Sequence, residues 1–158
     1  MFIRYFIEIP RSMAEVEVAL LESPGYWSAE PARDAEERGR QLLAEVGFGP
    51  PGVRVDKRVE LQFGEPVRFP SKTILPMSWK PAGLEALFPA LDADIEIGEL
   101  GPERTQLSIS ARYTPPLGSL GRVLDRALLH RVAEATVKDF LDRAAQTLSP
   151  VLTASSEA

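Results

Sequence analysis

Hydrophobic and polar residues alternate from the start of the chain. Ile3, Tyr5, Ile7 and Ile9 fall on one side of an extended segment and Arg4 and Glu8 on the other, which predicts a first strand ended by Pro10. Phe2 and Phe6 break the alternation. They predict that the second face of this strand is partly covered, by the end of a helix or by a partner chain. The spacing then becomes helical. Ser12 with Glu15 forms a capping box for a short helix through Glu22, the hydroxyl and the carboxylate each satisfying a free backbone amide. Pro24-Gly25 is expected to stop it. A second helix is predicted over about 31–46, with Pro31 in the first turn, Asp34, Glu36 and Glu37 near the positive end of the dipole, and Gly47 as terminator. Gly39 inside it costs up to about 1 kcal/mol relative to alanine, unless close packing requires a bare backbone.

GFGPPG (47–52) is a turn, and beyond it the period returns to two. Val53, Val55, Val59, Leu61 and Phe63 predict a long strand; Gly64-Glu65-Pro66 turns into a short one at 67–69; Thr73, Leu75, Met77 and Trp79 line one side of a third. Pro76 argues for a bulge or an edge position there. Leu91, Ala93, Ile95 and Ile97 oppose Asp92, Asp94 and Glu96, the mark of a strand with one wet side, and a turn at Gly101-Pro102-Glu103 leads to the same pattern at Leu107, Ile109, Ala111 and Tyr113. The carboxylate ladder reads as a solvated outer face, since a spacing of about 7 Å along a strand is too wide for neighbours to share a cation.

After Pro115-Pro116 and two glycines, no breaker occurs until Pro150. A helix of roughly 30 residues is about 45 Å long, more than the diameter of about 40 Å expected for a compact chain of this size, so it must cross the whole molecule. Leu120, Leu124, Ala127, Leu128, Val132 and Ala135 follow helical spacing on one stripe and Val137, Leu141, Ala144, Ala145 and Leu148 on another, about a third of a turn away. This predicts a helix that changes the face it buries, either by following a twisted sheet or by sealing a core with one half and roofing a cavity with the other. Arg131 falls on the first stripe and His130 points away from it.

The order strand, two helices, five strands, long helix predicts an α+β domain with an antiparallel sheet. At 158 residues and 44% hydrophobic content the chain is one ordinary domain, expected at 1–149 with a frayed tail at 150–158. It has no cysteine and one histidine, which removes disulfides, thiolate chemistry and zinc–cysteine sites; no metal and no cofactor are expected. The net charge is −5, although 118–148 carries five basic and four acidic residues, so no basic face marks a nucleic-acid partner. No apolar run reaches the length of a membrane span, and the N-terminus does not read as a signal peptide; a cytoplasmic protein, monomer or homodimer, is expected.

With this order of elements, the stretches LLAEVGFG, LGPERTQLSISARY and PPLGSLGRVLDRALLHRVAEATVKDFLDR resemble the START-like helix-grip superfamily, also called SRPBCC, which includes polyketide cyclase/dehydrase and lipid-transport types. The similarity covers nearly the whole chain and is closest to uncharacterised bacterial members. It implies a helix-grip fold: a curved antiparallel sheet of about six to seven strands around the C-terminal helix, two short helices after strand 1, and a hydrophobic cavity between sheet and helix. No catalytic set carries over. Residues expected to line the cavity are Tyr5, Phe63, Met77, Trp79, Tyr113, Leu124, Leu128 and Arg131, the guanidinium holding a carboxylate or carbonyl of a mostly apolar ligand such as a lipid, polyketide or isoprenoid. Two alternatives stand beside this binding role. One is a cyclase, aromatase or dehydratase using Arg131, Tyr113 and Glu134; the other is an interaction module with a filled interior and Phe2 and Phe6 as partner contacts.

Overall fold

A computed structural model describes residues 2–22, 24–45, 60–80, 90–114 and 126–156. Among these residues, six strands and three helices follow one another as β1 (Phe2–Ile9), α1 (Met13–Glu22), α2 (Pro24–Glu45), β2 (Glu60–Phe63), β3 (Val67–Phe69), β4 (Lys72–Lys80), β5 (Ala90–Gly101), β6 (Arg104–Thr114) and α3 (Arg126–Ser156). The strands form one curved antiparallel sheet in the order β1-β6-β5-β4-β2, with β3 also on β4. The class is α+β and the architecture is the helix grip.

Period two puts every buried hydrophobic strand residue on one face. Across the sheet the register stacks Phe63, Met77, Ala93, Ala111 and Ile3 in one row, and Leu75, Ile95, Ile109 and Tyr5 in the next. A third row joins Leu61, Trp79, Leu91 and Tyr113. Asp92, Asp94 and Glu96 point the other way, toward solvent, as their alternation requires. The β5–β6 hairpin turns through Pro102-Glu103 with Gly101 opposite Arg104, and a bulge between Glu99 and Gly101 accommodates the turn.

Pro76 is neither at a bulge nor on an edge strand. β4 is paired on both sides, but the partner on one side is interrupted between β2 and β3. Gly64 donates its amide to the carbonyl of Pro76 at 2.8 Å, so proline's missing N–H falls opposite the turn that separates the two short strands.

α1 ends at Glu22 as predicted, and the other two helices depart from their predicted limits. Ser12 caps α1 as expected, its hydroxyl accepting the amide of Glu15 at 3.3 Å. Pro24 does not end the helical region; after a single intervening residue it begins α2, taking the first-turn position that spacing assigned to Pro31, which lies inside the helix. Trp27 Nε1 donates to the carbonyl of Leu20 and fixes the corner between α1 and α2. Gly39 is buried, consistent with close packing of α2. α3 runs on past Pro150 to Ser156, so the predicted break there is absent from the backbone.

The largest correction concerns α3. Leu129, Val132, Ala133, Val137, Phe140, Leu141, Ala144 and Leu148 are all buried, and they make one continuous stripe. The predicted change of face does not occur within the described helix. The earlier phase was set by residues at 120–128, whereas Leu129 and Phe140 set the phase that packs.

Candidate functional site

The concave face of the sheet and the buried stripe of α3 enclose the interior. Its middle is filled by aromatic rings: Trp79 meets Phe140 edge-on at 5.3 Å, and Trp27 lies 6.1 Å from Phe140 and 5.8 Å from Phe63. Met77 is buried beside Phe63 in the adjoining strand. Phe63, Met77 and Trp79 thus share one face, as predicted, and here they pack against the protein's own side chains.

Beyond Trp79 the same row continues through Leu91 to Tyr113, which is buried at the end of β6. Burial pushes its phenol above the usual tyrosine range, because the phenolate would lose its hydration. The ring of His130, on the second described turn of α3, lies 6.3 Å from that of Tyr113. His130 Nδ1 is buried and has no hydrogen-bond partner. Leu128 beside it is half-buried. This end of the concave face brings the apolar side chains of Trp79 and Leu91 together with the polar atoms of Tyr113 and His130.

The remaining predicted residues fall elsewhere. Tyr5 is at the opposite edge, where its hydroxyl donates to Asp142 at 2.9 Å and Lys138 sits 5.7 Å from its ring centre. Burial first, then the bond to Asp142, pushes its phenol upward as well. It straps β1 to α3. Arg131 is exposed, about 200° around the helix from both Leu129 and Ala133, so its predicted place on the buried stripe is corrected. Glu134 is exposed too, and the trio of Arg131, Tyr113 and Glu134 required for the cyclase reading does not converge. Leu124 lies outside the described residues.

Sequence reasoning missed Phe140 and turned His130 outward. Phe140 was legible in principle: it is eight residues after Val132 and four before Ala144, in phase with both. Glu36, buried on α2, was read only as a dipole-facing acid. The outer face carries an open depression of about 490 Å³ bordered by Phe2, Gln62, Ser78, Asp94 and Arg112, whose polar walls are mostly exposed.

No family model and no curated protein matches this chain. Solved structures do. A conserved protein of Geobacillus kaustophilus is 13% identical, covers 95% of this chain and 96% of its own, and superposes with a TM-score of 0.50. A hypothetical protein of Helicobacter pylori is 10% identical over 94% of this chain and 85% of its own, with a TM-score of 0.52. An aromatase/cyclase from a Streptomyces species is 12% identical over 97% and 93%, but at a TM-score of 0.43 carries no argument about activity. The first two likenesses bear out the expected helix-grip fold, and the fold alone. Among the described residues, no helix is long and apolar enough to cross a membrane.

Proposed function

We propose that the chain binds a small, mostly apolar molecule with one polar end, held where Trp79, Leu91 and Tyr113 of the sheet meet the first described turns of α3. The observation that supports this reading is the buried, partnerless Nδ1 of His130, in a ring whose centre lies 6.3 Å from that of the buried Tyr113. A buried polar atom left unsatisfied costs about 1–3 kcal/mol, and a guest that hydrogen-bonds to it recovers that cost. The aromatic cluster around Phe140 occupies the middle of the hollow, so the guest is confined to this end. The role is carriage or sensing, because Arg131 and Glu134, two of the three groups the cyclase chemistry needs, are turned to solvent.

The chain has a single histidine, so its imidazole gives one unambiguous set of NMR signals. Titration with a fluorescent fatty acid is expected to saturate and to shift those signals, with Tyr113→Phe and His130→Phe altering the affinity. Extraction of the purified protein followed by mass spectrometry should recover an apolar molecule. Absence of both saturable binding and an extracted molecule would overturn the assignment.

A further inference from the structure

β1 ends the sheet, and among the described residues no strand pairs with its second edge. Its eight residues contain no proline and no lysine, two of the devices that ordinarily blunt an open edge, and its charges are one of each sign. The inner face of that edge is apolar, and the outer face alternates phenylalanine with charge. Phe2 and Phe6 are 59% and 57% exposed on the outer face, and on the inner face Tyr5 and Ile7 are only half-buried although Ile3 and Ile9 are buried. Arg4, between the two phenylalanines, is exposed and has no acidic partner among the described residues. Glu8 accepts Arg104 at 2.7 Å in an ion pair exposed to solvent, leaving oxygen lone pairs available.

We propose that this edge pairs with β1 of a second copy of the chain, antiparallel about a two-fold axis perpendicular to the sheet, with Phe6 opposite the partner's Phe6. A two-fold of this kind makes the contact self-complementary and keeps outer residues opposite outer residues. In this register Arg4 faces the partner's Glu8, Phe2 faces the partner's Pro10, Ile3 the partner's Ile9 and Tyr5 the partner's Ile7. Every charge meets its opposite and every apolar residue meets another. Sliding by one allowed step breaks this. One direction sets Arg4 against the partner's Phe6 and Phe2 against the partner's Glu8; the other sets Phe6 against the partner's Glu8. A further step in the first direction sets Arg4 against the partner's Arg4. Opposed like charges destabilise a strand pair and aromatic pairs favour it, so the charge pattern selects both the occupant and the register.

Sedimentation over a wide concentration range is expected to find a reversible dimer of the wild-type chain. Arg4→Glu and Glu8→Arg, each alone, should weaken it at least about tenfold by opposing like charges. An equimolar mixture of the two variants should associate again, since each charge then faces its opposite. A separate measurement does not depend on charge. The chain has no cysteine, so Phe6→Cys should cross-link to itself under mild oxidation, the two thiols meeting across the two-fold, whereas Val18→Cys on the exposed side of α1 should not. A monomer at every concentration, a dimer indifferent to Arg4→Glu, a mixture that fails to recover, or cross-linking as rapid at position 18 as at position 6 would each overturn the proposal.

Discussion

Phe140 is fully buried between Trp27 and Trp79, and its ring joins the helices to the sheet. Phe140→Ala leaves a cavity that its two rigid aromatic neighbours cannot collapse into, and should cost about 3–5 kcal/mol in urea unfolding. Arg131→Ala, at an exposed position, should stay within about 0.5 kcal/mol of wild type. Tyrosine supplies a second test at this scale. The phenols of Tyr5 and Tyr113 both sit above their ordinary value, chiefly through burial. The folded chain therefore keeps protons that the unfolded chain begins to release near pH 10, so the stability these groups contribute is complete below about pH 10 and is lost as pH rises through their folded values. Urea midpoints should fall on the alkaline side, and the double variant Tyr5→Phe, Tyr113→Phe should flatten that fall. An unchanged slope in the double variant would remove these two groups as its cause.

At the scale of elements, legibility followed the period. Strands with one wet face were read from alternation alone, because a residue at Asp92 or Asp94 has only two directions to choose between. Helix faces need a phase, and phase requires an anchor. In α3 the anchor was misplaced because Leu120, Leu124 and Leu128 suggested a stripe that Leu129 and Phe140 do not continue, and the error carried Arg131 inward and His130 outward. The helix limits failed for a different reason: proline marks a helix start or a break, and only packing decides which role Pro24, Pro31 and Pro150 take. Capping is local and was therefore legible. Ser12→Ala removes the acceptor for the amide of Glu15 and should lower stability by about 1 kcal/mol, measurable as a shift of the urea midpoint without a change of slope.

Over the whole molecule, the sheet order sets a ranking of local stability. β5 and β6 are the longest strands, twelve and eleven residues, each paired on both sides and each with a face buried in the core. β3 is three exposed residues on one partner. Amides of β5 and β6 should exchange with solvent only through global unfolding, while those of β3 exchange through local opening that breaks few contacts. β1 falls between, since its link to β6 and the strap from Tyr5 to Asp142 hold one side while no described strand pairs with the other. Hydrogen exchange read by NMR should therefore rank β5 and β6 slowest, β1 intermediate and β3 fastest. Within β1 a finer distinction is available. Successive amides of an antiparallel strand point alternately to its two neighbours, so a second copy seated on the open edge should slow every other amide as protein concentration rises and leave the β6-facing ones unchanged. Uniform slowing along β1 would indicate general tightening of the fold, and alternate slowing can come only from a strand laid against that edge.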